Sequence, residues 1–189
     1  MKVGVVDYGM GNLFSVVSAL EMVGADVVIC HDPSVLKKVD RIILPGVGAF
    51  KDCIDTITRT GFKDALDTEI MESGKPIYGI CLGMQIMARG SSEFGNHKGL
   101  GWIEGDVIRL KPDSRNLRVP HVGWNNVNYK LNSPLFAGLP DSPDFYFVHS
   151  FHLQCDISDE IEATCDYGQI VTVSIKKNNI FATQFHPEK

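Results

Sequence analysis

The sequence predicts one α/β domain built on a mostly parallel sheet with a smaller antiparallel extension. Three observations point there. In the first half, short apolar runs alternate with segments of helical periodicity, the mark of a sheet whose strands need helices over both faces. From about Gly105 onward strands follow one another across polar turns. The chain has 189 residues, with no internal repeat, low-complexity tract or Pro/Gly/Ser-rich linker to divide it, so residues 1–189 are expected to form a single domain.

The elements read in order. Val3 to Val6 is an apolar strand that meets a glycine-bearing turn at Asp7 to Gly11. Leu13, Val16, Val17, Leu20 and Val23 then recur at helical spacing, with Asn12 placed to cap the start and Gly24 to end it. Residues 27–29 and 42–44 read as buried strands. Helical patterns follow through Phe50, Ile54 and Ile57 and through Phe62, Ala65, Leu66 and Ile70, before Gly74 and Pro76 break the second. A strand at 77–80 runs into Cys81. Later strands are expected at 105–110, 145–153, 170–175 and 179–185.

Bulk composition excludes several classes. An apolar fraction of 44% and a charged fraction of 22% are those of an ordinary globular protein. The net charge of -5, with scattered Lys and Arg, offers no basic field for nucleic acid. Five cysteines, at 30, 53, 81, 155 and 165, form no C-x-x-C pair, which suits a reducing compartment, so a cytoplasmic protein is expected. No stretch approaches about 18 apolar residues and the start lacks a signal-peptide core, so neither export nor a membrane span is expected.

The sharpest chemical feature is Gly79-Ile80-Cys81-Leu82-Gly83, directly after an apolar strand and before a helical stretch. It has the form of a nucleophile elbow, in which flanking glycines permit a tight strand-to-helix turn that pushes the side chain toward a substrate. Unpaired backbone N–H groups at the helix start would favour the thiolate. The competing reading is a buried structural thiol.

A thiolate needs a base, and the base needs an orienter. His186 and Glu188 offer that pair: in an extended chain residues two apart project to one side, and Pro187 suits a strand end. A metal site is the alternative, but no third ligand stands at recognisable spacing, so no metal is expected. Pro45-Gly46-Val47-Gly48 follows a strand and is either an ordinary turn or a loop whose N–H groups meet an oxyanion. The histidines at 31, 97, 121, 149 and 152 have no evident partners and are read as structural. No phosphate-binding glycine fingerprint occurs, and no cofactor is expected.

Taken together, Gly79-Ile80-Cys81-Leu82-Gly83-Met84-Gln85 and Phe185-His186-Pro187-Glu188 resemble the class I, triad-type glutamine amidotransferases. Within that family, four further segments resemble the branch of glutaminase subunits of imidazole glycerol phosphate synthases. They are Asp7 to Asn12, Pro45 to Phe50, Pro120 to Asn125 and Tyr146 to Phe151. The resemblance implies a flavodoxin-like three-layer domain, glutamine as substrate and a Cys81, His186, Glu188 triad. It also implies an oxyanion hole at Leu82, Val47 and Gly48, and Gly48, Gln85, Glu93, Ser150 and Phe151 about the substrate. It further implies a (β/α)8-barrel cyclase partner that receives ammonia through a channel, docked over Asn12, His121, Trp124, Tyr146 and Lys189. For Trp124 core packing is the competing reading.

The sequence departs from relatives in two respects: they continue with a further helix beyond the position of Lys189, and many have Tyr at the position of Phe151. Two alternatives stay open. One is a paralogue supplying ammonia to a sugar-modifying, surface-polysaccharide synthase; the other is a non-catalytic regulatory subunit, against which the intact Cys81, His186 and Glu188 speak.

Overall fold

A computed structural model describes residues 1–113 and 116–189. Its first half is the expected alternation of β1 (Lys2–Val6), α1 (Leu13–Met22), β2 (Asp26–Cys30), β3 (Arg41–Gly46), α2 (Phe50–Arg59), α3 (Phe62–Leu66) and β4 (Ile77–Cys81). Asn12 caps α1 by accepting from the Ser15 backbone N–H, and Gly24 follows at φ +79°, where a side chain would be strained. Beyond α3 the helix widens into a π-helical turn over Asp67–Glu72.

Past Cys81 come α4 (Leu82–Gln85), β5 (Ala88–Ser91), β6 (His97–Lys98), β7 (Ile103–Arg109), β8 (His121–Asn126), β9 (Asn128–Tyr129) and β10 (Asp144–His149). They are followed by β11 (Phe151–Cys155), β12 (Ile161–Asp166), β13 (Ile170–Lys177) and β14 (Ile180–Thr183). The central sheet has eight strands in the order β2-β1-β3-β4-β14-β13-β12-β9. Its first five are mutually parallel and the last three continue antiparallel. This is the mostly parallel sheet with an antiparallel extension.

Strand alternation sorts the apolar residues onto two faces. Val5, Ile43, Tyr78 and Ile80 meet Leu13, Val16, Val17 and Leu20 of α1. Val6, Ile42, Leu44 and Ile77 meet α2, α3 and the sheet carrying β7 and β11 on the opposite face. At about 25 cal/mol per Å² of apolar area removed from water, these two layers are the main stabilising term. A third cluster, around Phe136, Phe147 and Phe185, fills the antiparallel end. No helix among the described residues is long and apolar enough to cross a membrane.

Three strand expectations are corrected. The stretch 145–153 is two strands: β10 pairs with β8 as a separate ribbon, whereas β11 pairs with β7 in a four-stranded sheet with β5 and β6. Phe147, His149 and Phe151 are all buried, so the period of two runs unbroken through Ser150 and hides the change of sheet. The last strand stops at Thr183 and bends at Gln184 and Phe185. Finally, only part of the second half extends the main sheet; β5, β6, β7, β8, β10 and β11 lie in sheets of their own.

Candidate functional site

Cys81 ends β4 and stands immediately before α4, with φ +55° and ψ -108°. For a residue with a Cβ that backbone is costly, of order 1–3 kcal/mol, and persists only where the surroundings enforce it. The enforcement comes from packing. A Cβ on Gly83 would lie 1.9 Å from the Leu44 carbonyl oxygen, one on Gly79 would lie 2.9 Å from the Gly83 oxygen, and one on Gly46 would lie 2.9 Å from the Gly83 nitrogen. The glycines thus serve close approach between β3 and the elbow, while the unusual φ falls on Cys81 itself. The turn flexibility expected of the glycines is not what they supply.

His186 is held by its backbone, which donates to the Tyr146 carbonyl at 3.0 Å. Its Nδ1 lies 2.9 Å from Glu188 Oε1, and both side chains are over nine-tenths buried. The pairing expected from an extended chain is made instead by a turn, since Lys189 N–H donates back to the His186 carbonyl. Pro187 therefore occupies a turn and not a strand end. Burial opposes a charge on the imidazole, but hydrogen bonding and charge from Cys81 and Glu188 outweigh it and raise His186 above its usual value. His186 Nε2 is buried and bonded to no other group among the described residues, and His186 lines the same cavity as Cys81. Among the described residues no group of three or more His, Cys, Asp or Glu is arranged to hold a metal ion.

A cavity of about 350 Å³ joins these groups, within the usual range for small-molecule sites. It is lined by Cys81 and His186 together with Val47, Gly48, Leu82, Gln85, Glu93, Ser150 and Phe151. Gly48 has φ +102°. Glu93 also reaches the start of α2, where it accepts from the Phe50 N–H at 2.7 Å and caps a helix whose own N-cap, Ala49, has no side-chain acceptor. Gln85 donates to the Phe151 carbonyl at 2.8 Å.

Sequence reasoning missed Pro120, Val148 and His149 on the cavity wall and Gln184 behind it. His149 shares the parity of Phe147 and Phe151, a signal available in the sequence but read as packing. It is pushed down to about 3, first by burial, and its Nε2 faces His121 Nδ1 at 3.1 Å.

The five expected docking positions separate. Trp124 is 62% exposed and meets Tyr146 edge-on at 5.8 Å, so it is not core packing. Asn12 and Lys189 are exposed and Tyr146 is half-buried. His121 is not on the surface: it is 3% exposed, stacked between Tyr167 and Phe147, and burial pushes it down to about 4. The exposed Val47 and Val148 form an apolar rim where the cavity opens.

Comparison with known proteins places the chain in a family. The family model "Glutamine amidotransferase class-I" matches residues 4–189. The chain is 43% identical over 189 residues to the "Imidazole glycerol phosphate synthase subunit HisH" of Syntrophotalea carbinolica, covering 98% of this chain and 91% of that one. It is 44% identical over 188 residues to the subunit HisH 1 of Campylobacter jejuni, covering 99% and 92%. Among solved structures, a glutamine amidotransferase superposes with a TM-score of 0.76 at 20% identity, covering 98% of this chain and 90% of that one. PurLQS from Thermotoga maritima gives 0.75 at 18%, covering 99% and 87%. At those identities the structures speak to the fold alone.

Proposed function

Because this chain belongs to the class I glutamine amidotransferases, we propose that it is the glutaminase subunit of an imidazole glycerol phosphate synthase. In this reading residues 1–189 act as one amidotransferase domain, hydrolyse glutamine to glutamate and pass the ammonia to a (β/α)8-barrel cyclase. The cyclase uses it to make imidazole glycerol phosphate, releasing the aminoimidazole carboxamide ribotide by-product, in histidine biosynthesis. The identity of over 40% to subunits of that name supports the pathway, and five free cysteines support a cytoplasmic setting.

The observation that carries the chemistry is that Cys81 and His186 share one cavity, with Glu188 bound to the far side of the imidazole. The Cys81 thiolate attacks the carboxamide carbon of glutamine, forming a C–S bond and placing negative charge on the amide oxygen. The Leu82 N–H and the peptide between Val47 and Gly48 receive that oxygen. The imidazolium of His186 gives its proton to the departing nitrogen; the C–N bond breaks, leaving ammonia and a thioester. Water then attacks the thioester while His186 takes up its proton, and C–S cleavage returns the thiolate with glutamate. Glu188 fixes the ring and balances its charge throughout. Gly48, Gln85, Glu93, Ser150 and Phe151 hold the amino-acid end.

The partner reading follows from chemistry as well. Ammonia released into water mostly protonates and loses its nucleophilicity, so the acceptor enzyme must cover the opening. Asn12, Trp124, Tyr146 and Lys189 are the docking positions, with Val47 and Val148 on the rim; His121 supports this face from beneath. The test is glutamate release by the chain alone, then with candidate barrel proteins and their ligands. Slow hydrolysis that rises strongly with one histidine-pathway cyclase is expected. Activation only by a barrel protein acting on a polysaccharide sugar would move the chain to that pathway, and no glutamate under any condition would refute the assignment.

A further inference from the structure

Resting on that reading, we propose that Gln184 is a positioning residue for the nucleophile, its side-chain amide donating a hydrogen bond to Cys81 Sγ. Gln184 is fully buried, just past the end of β14, and does not line the cavity. Its backbone N–H is bound to the Val173 carbonyl at 2.9 Å. Its side-chain Nε2 lies 3.6 Å from Sγ, and its Oε1 lies 2.9 Å from Gln85 Nε2.

The direction of these bonds follows from the far end of the chain of contacts. The Phe151 carbonyl can only accept, so the Gln85 atom 2.8 Å from it is the NH2 group. The second N–H of that group points at Gln184, which must answer with its oxygen. The Gln184 nitrogen is thereby left facing Cys81. An amide N–H donates and does not accept, so the sulfur is the acceptor. The Phe151 carbonyl is itself pinned from a second side by His149 Nδ1 at 2.9 Å. Neither amide can flip alone without a buried mismatch, since a flipped Gln85 would set its oxygen against the Phe151 carbonyl and a flipped Gln184 its NH2 against that of Gln85, a cost of about 1–3 kcal/mol.

A donor aimed at sulfur favours the thiolate over the thiol, and at 8% exposure Cys81 has little water to do the same. One short segment thus supplies two groups on the side of Cys81, an amide from Gln184 and an imidazole from His186.

The test uses the full chain carrying Gln184→Met or Gln184→Glu. The rate of Cys81 alkylation by iodoacetamide is followed against pH by mass spectrometry of the labelled peptide, with urea midpoint, kcat and KM for glutamine measured alongside. Gln184→Met removes the donor without adding charge: the alkylation midpoint should rise by about one pH unit, with alkylation roughly tenfold slower below it and kcat falling in step. Gln184→Glu keeps an acceptor for Gln85, so it carries the test should the Met variant fail to fold; its midpoint should rise at least as far. A folded variant with the wild-type alkylation profile overturns the role of Gln184, even where turnover is slower. A wild-type chain that releases no glutamate overturns the glutaminase reading and this proposal with it, so the two failures are distinguishable.

Discussion

A single methyl group added at Gly83 would come within 1.9 Å of the carbonyl oxygen of Leu44. Neither atom belongs to a flexible side chain, so backbone must move. The contact joins β3, which leads into the Val47 and Gly48 loop, to the elbow that carries Cys81. Gly83→Ala is expected to cost about 3 kcal/mol or more, read as a lowered urea midpoint, and to lose glutaminase activity in parallel. A wild-type midpoint would show that the elbow can relax.

Cys81→Ala should reduce glutamate release below detection while a cyclase partner still turns over with added ammonium salts. The measurement is both activities on the same complex. Retained glutaminase would remove Cys81 from the chemistry.

Glu188→Gln leaves an acceptor for His186 Nδ1 but takes away the charge that supports the imidazolium. The expected loss in kcat is about 10²–10⁴-fold, with a folded protein by circular dichroism. A loss of less than twofold would leave Glu188 a packing role only.

Two buried histidines predict acid lability. His121 and His149 are pushed down by burial to about 4 and about 3 from 6.5, so the unfolded chain binds their protons first as the pH falls. Stability fully present above 6.5 should be lost from there down to about 4 for His121 and about 3 for His149, by up to about 1.4 kcal/mol per pH unit for each. His186 works in the opposite sense: its contribution is present below 6.5 and lost as the pH rises through about 10. Urea unfolding across pH should show a shallower acid slope in His149→Gln than in wild type. Equal slopes would mean that His149 is not buried neutral in solution.

Trp124→Ala removes an exposed aromatic side chain that packs on Tyr146. Partner affinity should fall roughly 30-fold, corresponding to about 2 kcal/mol for a central interface residue, with unstimulated hydrolysis unchanged. Calorimetric titration of the two subunits reads this directly; unaltered affinity would move the docking face elsewhere.

The sequence was informative wherever a local rule operates. Helical spacing from Leu13 to Val23 with Asn12 and Gly24 at its ends, and the apolar run ending at Cys81, define elements by neighbours in the chain. The same locality made the G-x-C-x-G and H-x-E segments legible as chemistry. It misled where two local patterns are alike. Residues 145–153 keep one alternation across two sheets, and a turn brings His186 to Glu188 as readily as an extended strand would. Buried His121 gave no sign of being covered by Tyr167, which is 46 residues away in the chain.

By itself the sequence determined which residue types are available and which segments are strand or helix, because those depend on side-chain volume, polarity and spacing along the backbone. The tertiary structure alone decided that Gly83 must clear Leu44, that Glu93 caps α2 while facing the cavity, and that Gln184 turns its nitrogen toward sulfur. Each of these depends on the distance between atoms far apart in the chain, which is set by how sheets and helices pack and leaves no periodic trace in the order of residues.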